Sequence, residues 1–259
     1  MYVMDYPGIV SILAFLLMLF SALIGNHYRK RSRPLSAEER EYFTIVLSAN
    51  LTLLGLLIGF SFSMAINRYE QRKNYEEAEA NAISTEYVRA DLLPAADAAK
   101  VKELLKKYTI ERMLFYTSIG HDTLAKVWAN RSELQAQLWA AIRPGVEANP
   151  TPVMAVVASG MNDVINSQGY TQASWWNRIP IAAWGFMVLI AVFCNLMIGY
   201  GARGSHNRTL IILPIAISIS FLLIADIDSP RRGIMKVSPV NLTSFLQSVS
   251  PSQPELNVK

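Results

Sequence analysis

Ser48, Thr52, Gly55, Gly59 and Ser63 follow one another at spacings of four, three, four and four residues, so small or hydroxylated side chains line one stripe of a helix inside an apolar stretch. Such a stripe does not suit a lipid-facing surface, and two uses are open to it. Gly55 and Gly59 form a G-x-x-x-G pair through which two helix backbones can approach closely. The other use is to line a water-filled path. Beside the stripe Leu56 and Phe60 stand one turn apart, and rings of such side chains in an oligomer would constrict a path by dewetting. The same helix continues into Arg68, Arg72, Lys73, Glu76, Glu77 and Glu79. These charges could select ions or hold a cation at a vestibule, with Arg68, Arg72, Glu77 and Glu79 as candidates. The spacings Arg72 to Glu76 and Lys73 to Glu77 favour the plainer reading of a solvated face with intrahelical ion pairs.

Other residue patterns point away from catalysis. His27, His121 and His206 are scattered, and there is no H-E-x-x-H, Walker loop or G-x-S-x-G, so an enzyme reading has no residues to name. Gly199 to Gly204, GYGARG, satisfies G-x-G-x-x-G but follows an apolar helix where a nucleotide fingerprint must follow a strand, so it reads as a turn. Asp226 and Asp228 close the last apolar stretch. Two carboxylates are too few for a calcium loop, and pairing with Arg231 or Arg232 is their simplest role. The single cysteine, Cys194, excludes an intramolecular disulfide and a multi-cysteine zinc site. No metal and no cofactor is implied.

Composition sets the class of the elements that carry the stripe. With 52% hydrophobic and 17% charged residues and a mean hydropathy of +0.24, the 259-residue chain is too apolar for a water-soluble domain. Four apolar stretches, near residues 7–25, 43–66, 181–200 and 209–225, each approach the roughly 20 residues that cross hydrocarbon. Residues 1–6 carry Asp5 and no Lys or Arg, so the first stretch lacks the basic start of a secretory signal and reads as an uncleaved anchor. The fold expected is all-α, with four transmembrane helices in two pairs and a helical-bundle insert between the pairs. Its divisions are a first helix pair at 1–66, a helical extramembrane domain at 67–178, a second pair at 179–228 and a polar tail at 229–259.

Within the insert, residues 67–92 contain no Gly or Pro, so the second apolar helix runs on until Pro94 stops it. From Ala95 to about Ile119, Val101, Leu104, Leu105, Tyr108 and Phe115 share one helical face, while Met113 and Leu114 fall off it. From Asp122 to about Ile142, Leu124, Val127, Trp128, Leu134, Leu138 and Ile142 share another, and Pro144 with Gly145 should end that helix. Residues 153–170 form a last, weaker helix, after which Trp175 and Trp176 would mark a membrane interface. The tail is punctuated by Pro230, Pro239, Pro251 and Pro254, and its last ten residues should be mobile.

The net charge of +4 has no basic face behind it. Residues 67–178 hold 13 basic and 13 acidic side chains, which excludes nucleic acid as a partner. The partners expected are a lipid bilayer, further copies of the chain and inorganic ions. Arg29, Lys30, Arg31, Arg33 and Arg40 follow the first span, and none precedes it, which puts the N-terminus outside a cell membrane. Counted over every span end the two sides carry seven basic residues each, so this rests on the first helix alone.

Two resemblances bear on these residues. Gly59 to Lys73, GFSFSMAINRYEQRK, resembles the pore helix of bestrophins, where Gly-Phe at the end of a hydrophobic neck precedes Ala, an Arg-aromatic pair and a further basic residue. This chain has a one-residue gap before Arg72 and lacks the acidic cluster by which bestrophins sense calcium. The chain is more broadly similar to a bacterial membrane family with a bestrophin-like domain. One of that family's motifs is matched by Arg68-Tyr69 with Glu77, Glu79, Ala80, Asn81 and Ala82. The other is matched by Asp228, Pro230, Gly233, Val237, Ser238 and Pro239, with Arg231 where the family usually has an aromatic residue. Bestrophins are pentameric anion channels, so the resemblance implies a multi-pass oligomeric ion channel with the second helix lining the pore. The alternative is a non-conducting membrane sensor or scaffold whose helical domain binds a partner.

Overall fold

The computed structural model describes residues 5–118, 121–202 and 210–250, with side chains left out at 121–129. Expectations for the chain's last residues, for Leu124, Val127 and Trp128, and for the end of GYGARG lie outside the described side chains. The described residues are all-helical, with no strand. The helices are α1 (Pro7–Arg31), α2 (Ala37–Arg89), α3 (Ala95–Thr117), α4 (His121–Ala148), α5 (Pro152–Trp176), α6 (Ile181–Gly201), α7 (Ile212–Asp228) and α8 (Val240–Val249). The chain divides into two compact units, one of residues 1–69 with 178–236, the other of residues 70–177 with 237–259.

Local chemistry explains the helix starts. Pro7 and Pro152 occupy first-turn positions, where the missing N–H costs nothing. Ser36 and Glu39 form a reciprocal capping box for α2: the Glu39 N–H donates to Ser36 Oγ at 3.1 Å and the Ser36 N–H to Glu39 Oε2 at 2.8 Å. Thr151 caps α5 by accepting the Met154 N–H at 3.3 Å. As expected, α2 is unbroken over 53 residues and gives way to a 3₁₀ turn at Ala90–Leu92 just before Pro94.

In the first unit α1, α6 and α7 pack through Met18, Trp184, Met187, Ala191, Cys194, Phe221 and Ile224, all buried, with Leu54 and Ala65 of α2 in the same core. The α1–α6 contact is backbone on backbone. A Cβ at Gly25 would run into the Leu196 carbonyl, and one at Gly199 into the Ala22 carbonyl. Ser21 Oγ closes the crossing by donating to the Val192 carbonyl at 2.7 Å. Gly199 and Gly201 are therefore helical rather than part of a turn, and the crossing requires Gly199. Gly199→Ala is expected to cost about 1–3 kcal/mol, since a backbone carbonyl cannot rotate out of the way. Gly185→Ala, in the same helix with nothing within 4 Å of the added carbon, should leave the melting temperature in detergent unchanged. Equal losses in the two variants would refute the close crossing.

Among the described residues three helical stretches are long and apolar enough to cross a membrane: Pro7–Arg31, one within Ala37–Leu92 and one within Pro152–Gly201. With 17 residues, α7 stands at the lower limit for a span.

The second unit is built on α2 from Glu70 onward, with α3, α4, α5 and α8. Val101, Leu105, Tyr108 and Phe115 of α3 are buried as the periodicity requires, and Leu114 is exposed. Three expectations are corrected. First, α4 runs past Pro144 to Ala148, because Leu138, Ala141 and Ile142 are buried and Gly145 seats the last turn against Leu93. Tertiary packing offsets the lost proline hydrogen bond. Second, α5 extends to Trp176, and Trp175 is core: its ring centroid lies 4.8 Å from Phe115 and 5.5 Å from Tyr116, while Trp176 is 68% exposed. Third, the segment read as a polar tail contains α8, which buries Leu242 and Phe245.

Candidate functional site

On the membrane-length part of α2, the face at Leu54, Ser61 and Ala65 is buried in the first unit. At about 100° per residue, Ser48, Thr52, Gly55, Gly59 and Ser63 lie on the opposite side, and all five are exposed, as are Leu56 and Phe60. Only 6% of the apolar window of α2 is buried, against 33% of the α1 window. A Cβ at Gly55 or Gly59 would meet nothing within 4 Å, so the G-x-x-x-G pair makes no contact with another helix among the described residues. Thr52 Oγ1 donates to the Ser48 carbonyl at 2.9 Å, which turns that hydroxyl onto its own helix.

Just beyond this face the two sequence motifs meet. Arg68 Nη1 lies 3.7 Å from Asp228 Oδ1, and the Ile179 N–H donates to both Asp228 oxygens at 3.2–3.3 Å. Asp226 accepts the Ile234 N–H at 2.7 Å and the Met235 N–H at 3.0 Å. Gly233 sits so close to the Asp226 carbonyl that no Cβ fits, and Pro230 is buried. The aspartates thus organise the chain's own backbone and, at Asp228, Arg68. Of the two partners that the sequence suggested, Arg232 lies elsewhere, over the Tyr6 ring and 4.3 Å from its centroid.

The charged segment that follows corrects the solvated-face expectation. In the second unit Arg72, Glu76, Glu79, Ile83 and Glu86 form a continuous buried stripe of α2, which Ala90 extends into the 3₁₀ turn. Of the four vestibule candidates, Arg72 and Glu79 are fully buried, Arg68 is largely covered and Glu77 is exposed. Arg72 donates to the Ser174 carbonyl at 3.3 Å and the Asn177 carbonyl at 3.4 Å. Glu76 caps α8, accepting the Asn241 and Leu242 N–H groups at 3.0 and 3.1 Å and Asn241 Nδ2 at 2.6 Å. Burial nonetheless raises the Glu76 pKa against the pull of those bonds. Ser238 and Pro239 lead into the capped turn of α8.

Glu79 is the centre of this core. It pairs with Arg112 through Nε and, at 3.2 Å, Nη2, and accepts Tyr116 Oη and Thr171 Oγ1, each at 3.1 Å. Burial works against the charge of Arg112, but Glu79 and the tyrosines outweigh it, so its pKa rises. Burial, reinforced by Glu79, also pushes Tyr116 up, and Tyr108 to about 12. Glu86 is different. It is fully buried with no hydrogen-bond partner for either oxygen, packed over Gly160, and burial raises its pKa to about 8, Arg89 opposing and Asp163 reinforcing the shift. Sequence reasoning missed Arg112 and Glu86. Arg112 shares the α3 face of Val101, Leu105, Tyr108 and Phe115, and a cation on an apolar face was the available signal.

Comparison with known proteins bears on fold and family. The sequence family described as a bestrophin-like domain matches residues 8–242. Solved structures of a bacterial bestrophin homologue from Klebsiella pneumoniae are similar. One variant has a TM-score of 0.65 at 11% identity, covering 95% of this chain and 99% of that one. A second variant has a TM-score of 0.64 at 13% identity, with coverage of 94% and 99%. A third structure of that homologue has a TM-score of 0.61 at 13% identity, with coverage of 95% and 98%. At these identities the likeness is one of fold. No curated protein matches this chain in sequence.

Proposed function

This chain belongs to the bestrophin-like family, and from that premise we propose that it is an oligomeric ion channel of the cell membrane whose pore is lined by α2. One observation carries the reading: a membrane-length apolar helix leaves its small-residue stripe, Leu56 and Phe60 uncovered by the other described residues. In a symmetric assembly of further copies, that side of α2 faces the axis or the neighbouring subunits, Leu56 and Phe60 form the constriction, and Glu77 supplies an exposed vestibule charge. The fourth span of two helix pairs is α7, whose 17 residues cover about 26 Å at the helical rise. The N-terminus lies outside, and the basic residues after α1 lie in the cytoplasm.

The test is current across a planar bilayer holding purified protein under a salt gradient. Discrete currents with a defined reversal potential are expected, and Phe60→Ala should raise conductance severalfold by removing a ring from the constriction. Silence from folded, oligomeric protein in several lipids and at both voltage signs would overturn the channel in favour of a non-conducting sensor or scaffold. A Phe60→Ala variant with unaltered current would move the constriction elsewhere.

A further inference from the structure

Three helices of the second unit each present two polar residues one turn apart: Tyr108 and Arg112 on α3, Arg131 and Gln135 on α4, Gln168 and Gln172 on α5. Gln135 Nε2 donates to Tyr108 Oη and to Gln168 Oε1, both at 3.4 Å, and so sets the register of the three helices. One turn along, Arg131 Nη1 donates to Gln172 Oε1 at 2.6 Å, an oxygen that also accepts Gln168 Nε2 at 2.8 Å. On α3 and α5 this next layer follows the first in sequence, and on α4 it precedes it. Arg112 and Arg131 therefore share a layer. Its donors outnumber its acceptors. Among the described residues Glu79 is the one carboxylate bonded to this pair, and it is already taken by Arg112, Tyr116 and Thr171, while Glu111 beside Arg112 accepts from Asn130. Arg112 Nη1 and Arg131 Nε are both buried without a partner among the described residues.

Two guanidinium groups with one bonded carboxylate among the described residues leave positive charge in excess at this layer, which is buried at Arg112 and half-buried at Arg131. A water molecule would satisfy the N–H groups but not the charge, whereas an anion satisfies both. We propose that Arg112 and Arg131 bind a small inorganic anion such as chloride between α3, α4 and α5, independently of any pore. Arg131 is only partly buried and gives the anion a way in from solvent. Burial lowers the Arg131 pKa and the nearby charge of Arg112 lowers it further, which is the repulsion an anion would relieve.

The full chain in detergent provides the test, by exchanging chloride for gluconate at constant ionic strength. Chloride is expected to raise Tm saturably, by about 2–4 °C. Arg131→Gln should abolish the response. Arg143→Gln, an exposed arginine of the same helix paired with Glu147, should keep it. No chloride response in the unaltered chain, an undiminished response in Arg131→Gln, or an equal loss in Arg143→Gln would overturn the proposal. Should Arg131→Gln fail to fold, crystals of the unaltered chain in bromide decide: an anomalous peak within hydrogen-bonding range of Arg112 Nη1 and Arg131 Nε supports the site, and its absence at saturating bromide removes it.

Discussion

Arg112→Met is expected to destabilise the chain by about 3–5 kcal/mol, because it strands a fully buried carboxylate that has lost its counter-charge. Tyr116 and Thr171 would still donate to Glu79, but neutral hydroxyls recover only part of what a guanidinium supplies. The methionine keeps most of the volume over the Phe115 ring, where the guanidinium carbon now lies 4.5 Å from the centroid, so lost packing is a minor part of the change. The double variant Arg112→Met with Glu79→Gln removes both charges and should be more stable than Arg112→Met alone, since an amide can still accept Tyr116 and Thr171. Thermal unfolding of the single and double variants gives the coupling directly. Additive losses would mean that Glu79 and Arg112 contribute as separate polar groups and not as a pair.

Glu86 predicts a pH dependence of opposite sense to that of an ordinary salt-bridged carboxylate. Its pKa in the folded chain, about 8, lies above that of an unfolded glutamate, so the folded form holds a proton that the unfolded chain has released. The stability gained by burying the neutral acid is complete below the normal carboxyl range and is lost as pH rises towards 8. In that window the folded form should weaken by up to about 1.4 kcal/mol per pH unit, on the order of 3–5 kcal/mol in all. The charged groups facing it are Arg89 on its own helix and Asp163 on α5, one opposing and one reinforcing the shift. Glu76, raised by burial, adds to the fall in the same direction. Melting curves between pH 5 and 9 should show Tm falling with pH in the unaltered chain and a flatter profile in Glu86→Gln. Parallel profiles would show that Glu86 ionises in the folded chain as it does in water.

The sequence made the helices legible wherever apolar residues recur at the helical period. The face of α3 at Val101, Leu105, Tyr108 and Phe115 is the clearest case, and the continuity of α2 followed from the lack of Gly and Pro before Pro94. The small-residue stripe was visible too, but not which side of α2 the rest of the chain covers, because that depends on Leu54 and Ala65 meeting helices far away in sequence. The burial of Arg72, Glu76 and Glu79 was illegible for a related reason. A charged run at spacings of three and four reads alike whether its face meets water or partners such as Ser174, Asn241 and Arg112. Adjacent tryptophans give no sign of which is core, and α8 is too short, with two buried apolar side chains, to stand out from a proline-rich tail. The junction of Arg68 with Asp228 joins two motifs that could be named in the sequence but not placed together.

The division of the chain into units has a consequence for how the molecule is made. Each unit is assembled from two separate segments, so the polypeptide passes between them three times and neither unit is by itself a contiguous fragment. The bonds from Asn241 to Glu76 close a loop of 165 residues. Closing a loop of that length adds little to the equilibrium cost, because the entropy grows only logarithmically with length, but such non-local pairing is slow to form. The helical insert, cut out at its ends, would leave α8 behind and expose a carboxylate that the whole chain keeps capped.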